Sequence, residues 1–348
     1  AAVAIAKRLK IPQIVVGATI VSLGTTLPEI LVSTSAAVGA AQSPEISVGN
    51  ALGSIICNTA LIAGIGQLIR PTKEVKTKSV GWRMVFFVAT AVVLFLTVLL
   101  SPARSDGFAG TVMRWVGIAL VLGFCLYAFL SIKLKDSDGV EEIDEDEKIM
   151  PLWGALLMLV LSAAALFVGA QLLVENGQVL ARRMGVSERV IAVTLIALGT
   201  SLPELVTTVT SAIKGREDVG LGNIIGANLF NMLLVIGLPA TITGNVAFTK
   251  TALYLDLPLA LLAMVGLILP MMLRKKGSRV QGGLLLLGYI AYCVWSFAAL
   301  QANSIAHASS RDKMERIGIF FMAASFLPIG SAFDTFSILR KPYKYLKP

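Results

Sequence analysis

Gly24-Thr25-Thr26-Leu27-Pro28-Glu29 and Gly199-Thr200-Ser201-Leu202-Pro203-Glu204 are one six-residue phrase written twice. Each copy lies inside an otherwise apolar, helix-length segment, 11–40 and 186–213. A carboxylate in the middle of such a segment is costly in hydrocarbon and marks a functional site. The proline before it has no N–H to donate, and its ring collides with the preceding turn, so the helix is expected to break there. Carbonyls near 22–25 and 197–200 are then expected to lose their partners. Carbonyl, hydroxyl and carboxylate oxygens gathered in one place are hard donors of the kind Ca²⁺ and Na⁺ take.

The surrounding segments set the class. The chain has 348 residues, of which 56% are hydrophobic and 15% charged, and its mean hydropathy is +0.80. Several apolar runs exceed the roughly 18 residues that identify a spanning helix. Candidate spans cover 13–40, 45–69, 80–101, 110–133, 152–181, 186–213, 218–243, 251–273 and 280–301. A β-barrel would instead show alternating segments of about ten residues. The chain therefore reads as an all-α polytopic membrane protein whose surroundings are the lipid bilayer. Its net charge of +9 collects at helix ends, 70–83 and 274–279, which is a topology signature and not a nucleic-acid footprint. Cys57, Cys125 and Cys293 stand apart in apolar segments and read as packing residues without a disulfide.

The repeat fixes the architecture. Glu29 and Glu204 are offset by 175 positions, while Gly49-Asn50 and Gly222-Asn223, like Asn58 and Asn231, are offset by 173. Extended backwards, the alignment sets Ala1 on Asn176, inside the segment 152–181, so most of a first helix is expected upstream of Ala1. With that helix restored each repeat has five helices. An odd number forces opposite orientations, which gives two inverted five-helix repeats. The expected divisions are 1–133 for the first half, truncated at its N-terminus, and 151–301 for the second, inverted half. Between them 134–150 is an acidic cytoplasmic linker carrying Glu141, Glu142, Asp144, Glu145, Asp146 and Glu147. Placing that linker inside also puts the basic clusters at 70–83 and 274–279 inside. The C-terminal extension 302–348 holds one apolar stretch, 317–339, read as an extra peripheral helix.

The second element of each repeat carries a small polar set. Gly49-Asn50-Ala51-Leu52-Gly53-Ser54 is followed by Asn58, four residues after Ser54 and so on the same helical face. Gly222-Asn223-Ile224-Ile225-Gly226-Ala227 is followed by Asn231. Close helix approach accounts for Gly53 and Gly226, but leaves Glu29 and Glu204 unexplained. Asp256, just before Pro258 at a helix start, reads as an interfacial residue.

The paired G-T-[TS]-L-P-E segments, each followed by a Gly-Asn helix, resemble the two α-repeats of the sodium/calcium exchanger family within the cation/calcium antiporter superfamily. The resemblance covers roughly residues 1 to 301. It implies a ten-helix calcium/sodium antiporter that is not an enzyme and needs no cofactor. It also implies central cation ligands in Glu29 and Glu204, with hydroxyl or carbonyl oxygens from Thr25, Thr26, Thr200 and Ser201. The carbonyls of Ser22 and Ala197 would contribute, and Ser54, Asn58 and Asn231 would complete the sites. Ala227 departs from the first repeat by lacking the Ser54 hydroxyl. Asn231 stands where many relatives have Asp, which argues against a need for K⁺. Proton/calcium exchangers are similar but carry Gly-Asn-x-x-Glu, whereas Gly53 and Gly226 occupy the matching places here. The rival readings are proton/calcium exchange and a passive cation channel; a channel is disfavoured because it needs a ring of subunits around one pore. The expected location is the plasma membrane of a prokaryote, as a multi-pass integral protein.

Overall fold

Helices account for nearly all of the chain that the structure describes. This computed structural model describes residues 4–5, 8, 12–38, 44–102, 107–134, 150–183 and 196–307. The acidic run at 141–147, the apolar stretch at 317–339 and anything upstream of Ala1 lie outside the described residues.

The first span is a bent pair, α1 (Gln13–Thr25) and α2 (Leu27–Val38), with a 44° bend between them. There follow α3 (Ile46–Ile69), α4 (Thr77–Leu100) and α5 (Arg114–Lys133). The second half runs through α6 (Leu152–Arg183), the short α7 (Ala197–Thr200) and α8 (Leu202–Ile213). It continues through α9 (Glu217–Thr243), α10 (Ala252–Arg274) and α11 (Arg279–His307). The helix α11 extends beyond the expected end at 301. From Val294 onward the described residues are the end of α11 and fall in a second unit.

Burial sorts the helices into a centre and a lipid-facing shell. The apolar window of α9 is 100% buried and that of α5 only 22%. Leu122, Leu126 and Phe129 of α5, with Val93, Leu96 and Leu99 of α4, therefore present apolar surface to lipid. Lipid tails are as apolar as leucine, so close packing and interhelical hydrogen bonds hold such a bundle together. The packing of α9 on α1 shows how. A Cβ at Gly222 would strike the Ile14 carbonyl, and one at Gly226 would strike Ser22 Oγ and the Ala18 carbonyl. The two backbones can approach this closely only because those positions carry no side chain.

Hydrogen bonds close the gaps that proline opens. Pro270 lies inside α10 and cannot donate to the Gly266 carbonyl. Gln281 of α11 donates there instead, with Nε2 2.9 Å from the Gly266 oxygen and 2.6 Å from that of Leu267.

One expected span begins differently. Residues 110–113 do not start a helix; they belong to β1 (Phe108–Met113), which pairs antiparallel with β2 (Asn245–Thr249). The register sets Thr111 against Ala247 and Val112 against Val246. A run rich in β-branched and aromatic residues suits a strand as well as a buried helix, and periodicity alone does not separate them. The ribbon joins the link between α4 and α5 to the link between α9 and α10.

Candidate functional site

The two six-residue phrases build matching breaks. Thr26 separates α1 from α2 with φ −86° and ψ −1°, and Ser201 separates α7 from α8 with φ −83° and ψ 7°. Pro28 and Pro203 are the second residues of the helices that restart. The expectation that the Ser22 and Ala197 carbonyls are set free needs correction. Ser22 O accepts the Thr26 N–H at 2.9 Å, and Ala197 O accepts the Ser201 N–H at 3.1 Å. The α-helical bond persists to the break itself, and the carbonyls that proline deprives of an N–H are those four residues earlier, at Gly24 and Gly199.

The two halves then hold each other's carboxylates. Thr26 Oγ1 donates to Glu204 Oε1 at 3.3 Å, and Ser201 Oγ donates to Glu29 Oε1 at 3.1 Å. A second reciprocal pair lies beside the first. Thr25 Oγ1 is 3.2 Å from Asn223 Oδ1, and Thr200 Oγ1 is 3.1 Å from Asn50 Oδ1. Ser22 adds a bond that Ala197 cannot copy, from its Oγ to the Asn223 carbonyl at 2.9 Å. Glu29 and Glu204 lie within electrostatic reach of one another. Among the described residues no group of three His, Cys, Asp or Glu stands together, so the pair supplies two acidic groups and no third joins them.

Around this crossed frame lies a set of polar atoms that satisfy nothing. Glu29, Glu204, Ser54, Asn58 and Asn231 are fully buried. Glu29 Oε2, Glu204 Oε2, Ser54 Oγ and both amide atoms of Asn58 and of Asn231 have no hydrogen-bond partner. Each such buried group costs about 1–3 kcal/mol, and more when charged. A frame that leaves carboxylate, hydroxyl and amide oxygens unpartnered is chemically suited to a hard cation.

The local backbone at both asparagines was not foreseeable. Asn58 lies in a π-helical turn, Cys57–Ile62, and Asn231 opens another, Asn231–Val235. Such turns concentrate at functional sites. The turn bearing Asn58 packs on α8, which carries Glu204, and the turn bearing Asn231 packs on α2, which carries Glu29. Asn228 also escaped notice. It is buried, with Nδ2 2.7 Å from Thr59 Oγ1 and Oδ1 unpartnered. Its repeat counterpart is Ile55, so the repeat hid it. Asp256 is buried at 1% exposure and accepts a 3.0 Å bond from the Tyr292 hydroxyl.

Residues 1–133 and 154–298 match the family described as sodium/calcium exchanger protein. The chain is 36% identical to the inner membrane protein YrbG of Escherichia coli strain K12, over 67% of this chain and 70% of that one. It is 29% identical to the sodium/calcium exchanger MaX1 of Methanosarcina acetivorans, over 84% of this chain and 91% of that one. Among solved structures it is similar to the sodium-calcium exchanger NCX_Mj soaked with Na⁺ and Sr²⁺, with a TM-score of 0.65 and 28% identity over 88% of this chain and 91% of that one. Most of both halves is covered by these matches, and the chain belongs to the sodium/calcium exchanger protein family, a family of membrane transporters and not of enzymes.

Proposed function

We propose that this chain is a secondary active antiporter that exchanges Ca²⁺ for Na⁺ through one central site built between two inverted repeats. The observation that carries the reading is the cluster of buried, unpartnered oxygens at Glu29, Glu204, Ser54, Asn58 and Asn231, assembled on reciprocal bonds between the halves 1–133 and 151–301. Glu29 and Glu204 are the shared carboxylates. Together they carry the charge that balances one Ca²⁺ in a low-dielectric site. The hydroxyls of Thr25, Thr26, Thr200 and Ser201 turn their lone pairs to the ion as it arrives, and Ser54, Asn58 and Asn231 complete the shell. Na⁺ takes the same oxygens, so each ion displaces the other and coupling follows from shared occupancy without ATP. The asparagines do not titrate, which supports Na⁺ over protons as the counter-ion. The likeness to YrbG supports a plasma-membrane location.

Vesicle uptake of radiolabelled Ca²⁺ under an imposed Na⁺ gradient, with and without a pH gradient, tests the proposal. Uptake should require the Na⁺ gradient. Uptake driven by a pH gradient in the absence of Na⁺ would move the protein to proton exchange, and uptake down the Ca²⁺ gradient alone would make it a channel.

A further inference from the structure

The two repeats close the helix pairs behind their carboxylates differently. In the first, Asn50 Nδ2 donates to Ser33 Oγ at 2.9 Å and to the Glu29 carbonyl at 3.2 Å, and Ser33 Oγ donates to the Ser47 carbonyl at 3.0 Å. That network laces α2 to α3 just beyond Glu29. The repeat sets Thr208, Gly220 and Asn223 on Ser33, Ser47 and Asn50. There the lacing is absent: Thr208 Oγ1 and Asn223 Nδ2 are buried and have no hydrogen-bond partner.

Beside the unlaced threonine lies a cavity of about 20 Å³, lined by Gln67, Arg70, Thr208, Glu217, Gly220 and Ile224 among others. A cavity of that size has room for about one water molecule, and Gln67, Arg70, Thr208 and Glu217 are its polar lining among apolar neighbours. Thr208 is 5% exposed and follows Glu204 by one helical turn on α8, so the cavity continues the face that carries the carboxylate. On its lining, Glu217 Oε2 makes no hydrogen bond and lies 3.6 Å from Arg70 Nε. The guanidinium is 39% exposed and lies against the turn at Gly215, whose φ of +70° suits glycine.

We propose that this cavity is a transit cation site on the path to Glu204. The Glu217 carboxylate and the Thr208 hydroxyl are its ligands, and Arg70 is the counter-charge that an arriving cation displaces. The inference rests on the exchanger reading above and deepens it, since it names the face of the second repeat as one way in. A part-exposed ion pair contributes little net stability, so Arg70 gives way readily.

Thiol labelling tests this without relying on flux. Thr208→Cys in membrane vesicles is exposed to a small cationic methanethiosulfonate and to a neutral one of equal size, from each face separately, and mass spectrometry reads the label at position 208. Labelling should occur from one face only and be slowed by added Ca²⁺. Glu217→Gln should slow the cationic reagent about threefold and leave the neutral one unchanged, as expected for a mostly buried charge screened by its part-exposed partner Arg70. No labelling from either face in a protein that still carries Na⁺-driven Ca²⁺ flux would overturn the path. Equal rates for both reagents, unaffected by Glu217→Gln, would overturn the site. Ala212→Cys, on the same lining, repeats the test independently of the threonine. Flux in the unaltered protein tests the exchanger reading, so failure of one leaves the other measurable.

Discussion

Ser201 and Glu29 are 172 positions apart in the chain and share a hydrogen bond of 3.1 Å. Thr26 and Glu204 repeat the arrangement in reverse at 3.3 Å. Each carboxylate is thus bonded by the half of the chain to which it does not belong, and neither half holds the candidate site complete.

Glu29→Gln and Glu204→Gln should each abolish Ca²⁺ transport while the protein still inserts. Replacing one carboxylate leaves a divalent ion with half its counter-charge in a buried site, a loss of about a hundredfold or more in affinity. Na⁺-dependent ⁴⁵Ca²⁺ uptake in reconstituted vesicles measures it; robust flux in both variants would remove these residues from the site.

Ser201→Ala and Thr26→Ala should weaken Ca²⁺ binding to a similar extent, because they delete equivalent bonds. A hydrogen bond to a charged group contributes about 1.5–3 kcal/mol, so a rise of about tenfold or more in half-saturating Ca²⁺ is expected. Titration calorimetry on the detergent-purified variants reads the shift, and one variant indistinguishable from the parent would break the proposed equivalence.

Transport should proceed without K⁺, since Asn231 adds no charge to the pair of glutamates. Asn231→Asp adds a titratable ligand and should make exchange sensitive to pH or alter the preferred cation. Flux assays with K⁺ replaced by choline address the first point, and a strict K⁺ requirement would contradict it.

Gly226→Val should destabilise the bundle, because the new side chain meets Ser22 Oγ and the Ala18 carbonyl of α1. Overpacking of this kind costs about 1–3 kcal/mol or more. Gly169→Ala, at a position where an added Cβ meets nothing within 4 Å, is the control. Thermal unfolding in detergent should separate the two, with a clear fall in midpoint for Gly226→Val alone.

The parts of the candidate site that were legible in the sequence are those where a residue type contradicts its surroundings. A glutamate after a proline in an apolar segment is such a contradiction, and Glu29 and Glu204 were legible for that reason. The Ser22 and Ala197 carbonyls were misjudged because the chain keeps its helical bonds up to Thr26 and Ser201. The strand at 110–113 was read as helix because its partner, Asn245–Thr249, lies far along the chain. No residue type demands a π turn, so those at Asn58 and Asn231 leave no mark in the sequence. The bond that holds Asp256 was not legible because its donor, the Tyr292 hydroxyl, is 36 residues away.

The β-ribbon has a consequence for assembly. Its strands belong to different halves, and together with the crossed bonds at the carboxylates it fastens those halves to each other from two places. The peptide connection through 134–150 is then redundant as a fastener. Two separately translated pieces, 1–140 and 141–348, should find one another in the membrane, copurify through a tag on either piece, and restore Ca²⁺ uptake that neither shows alone. In assembly terms the chain should then behave as a heterodimer synthesised as a single polypeptide.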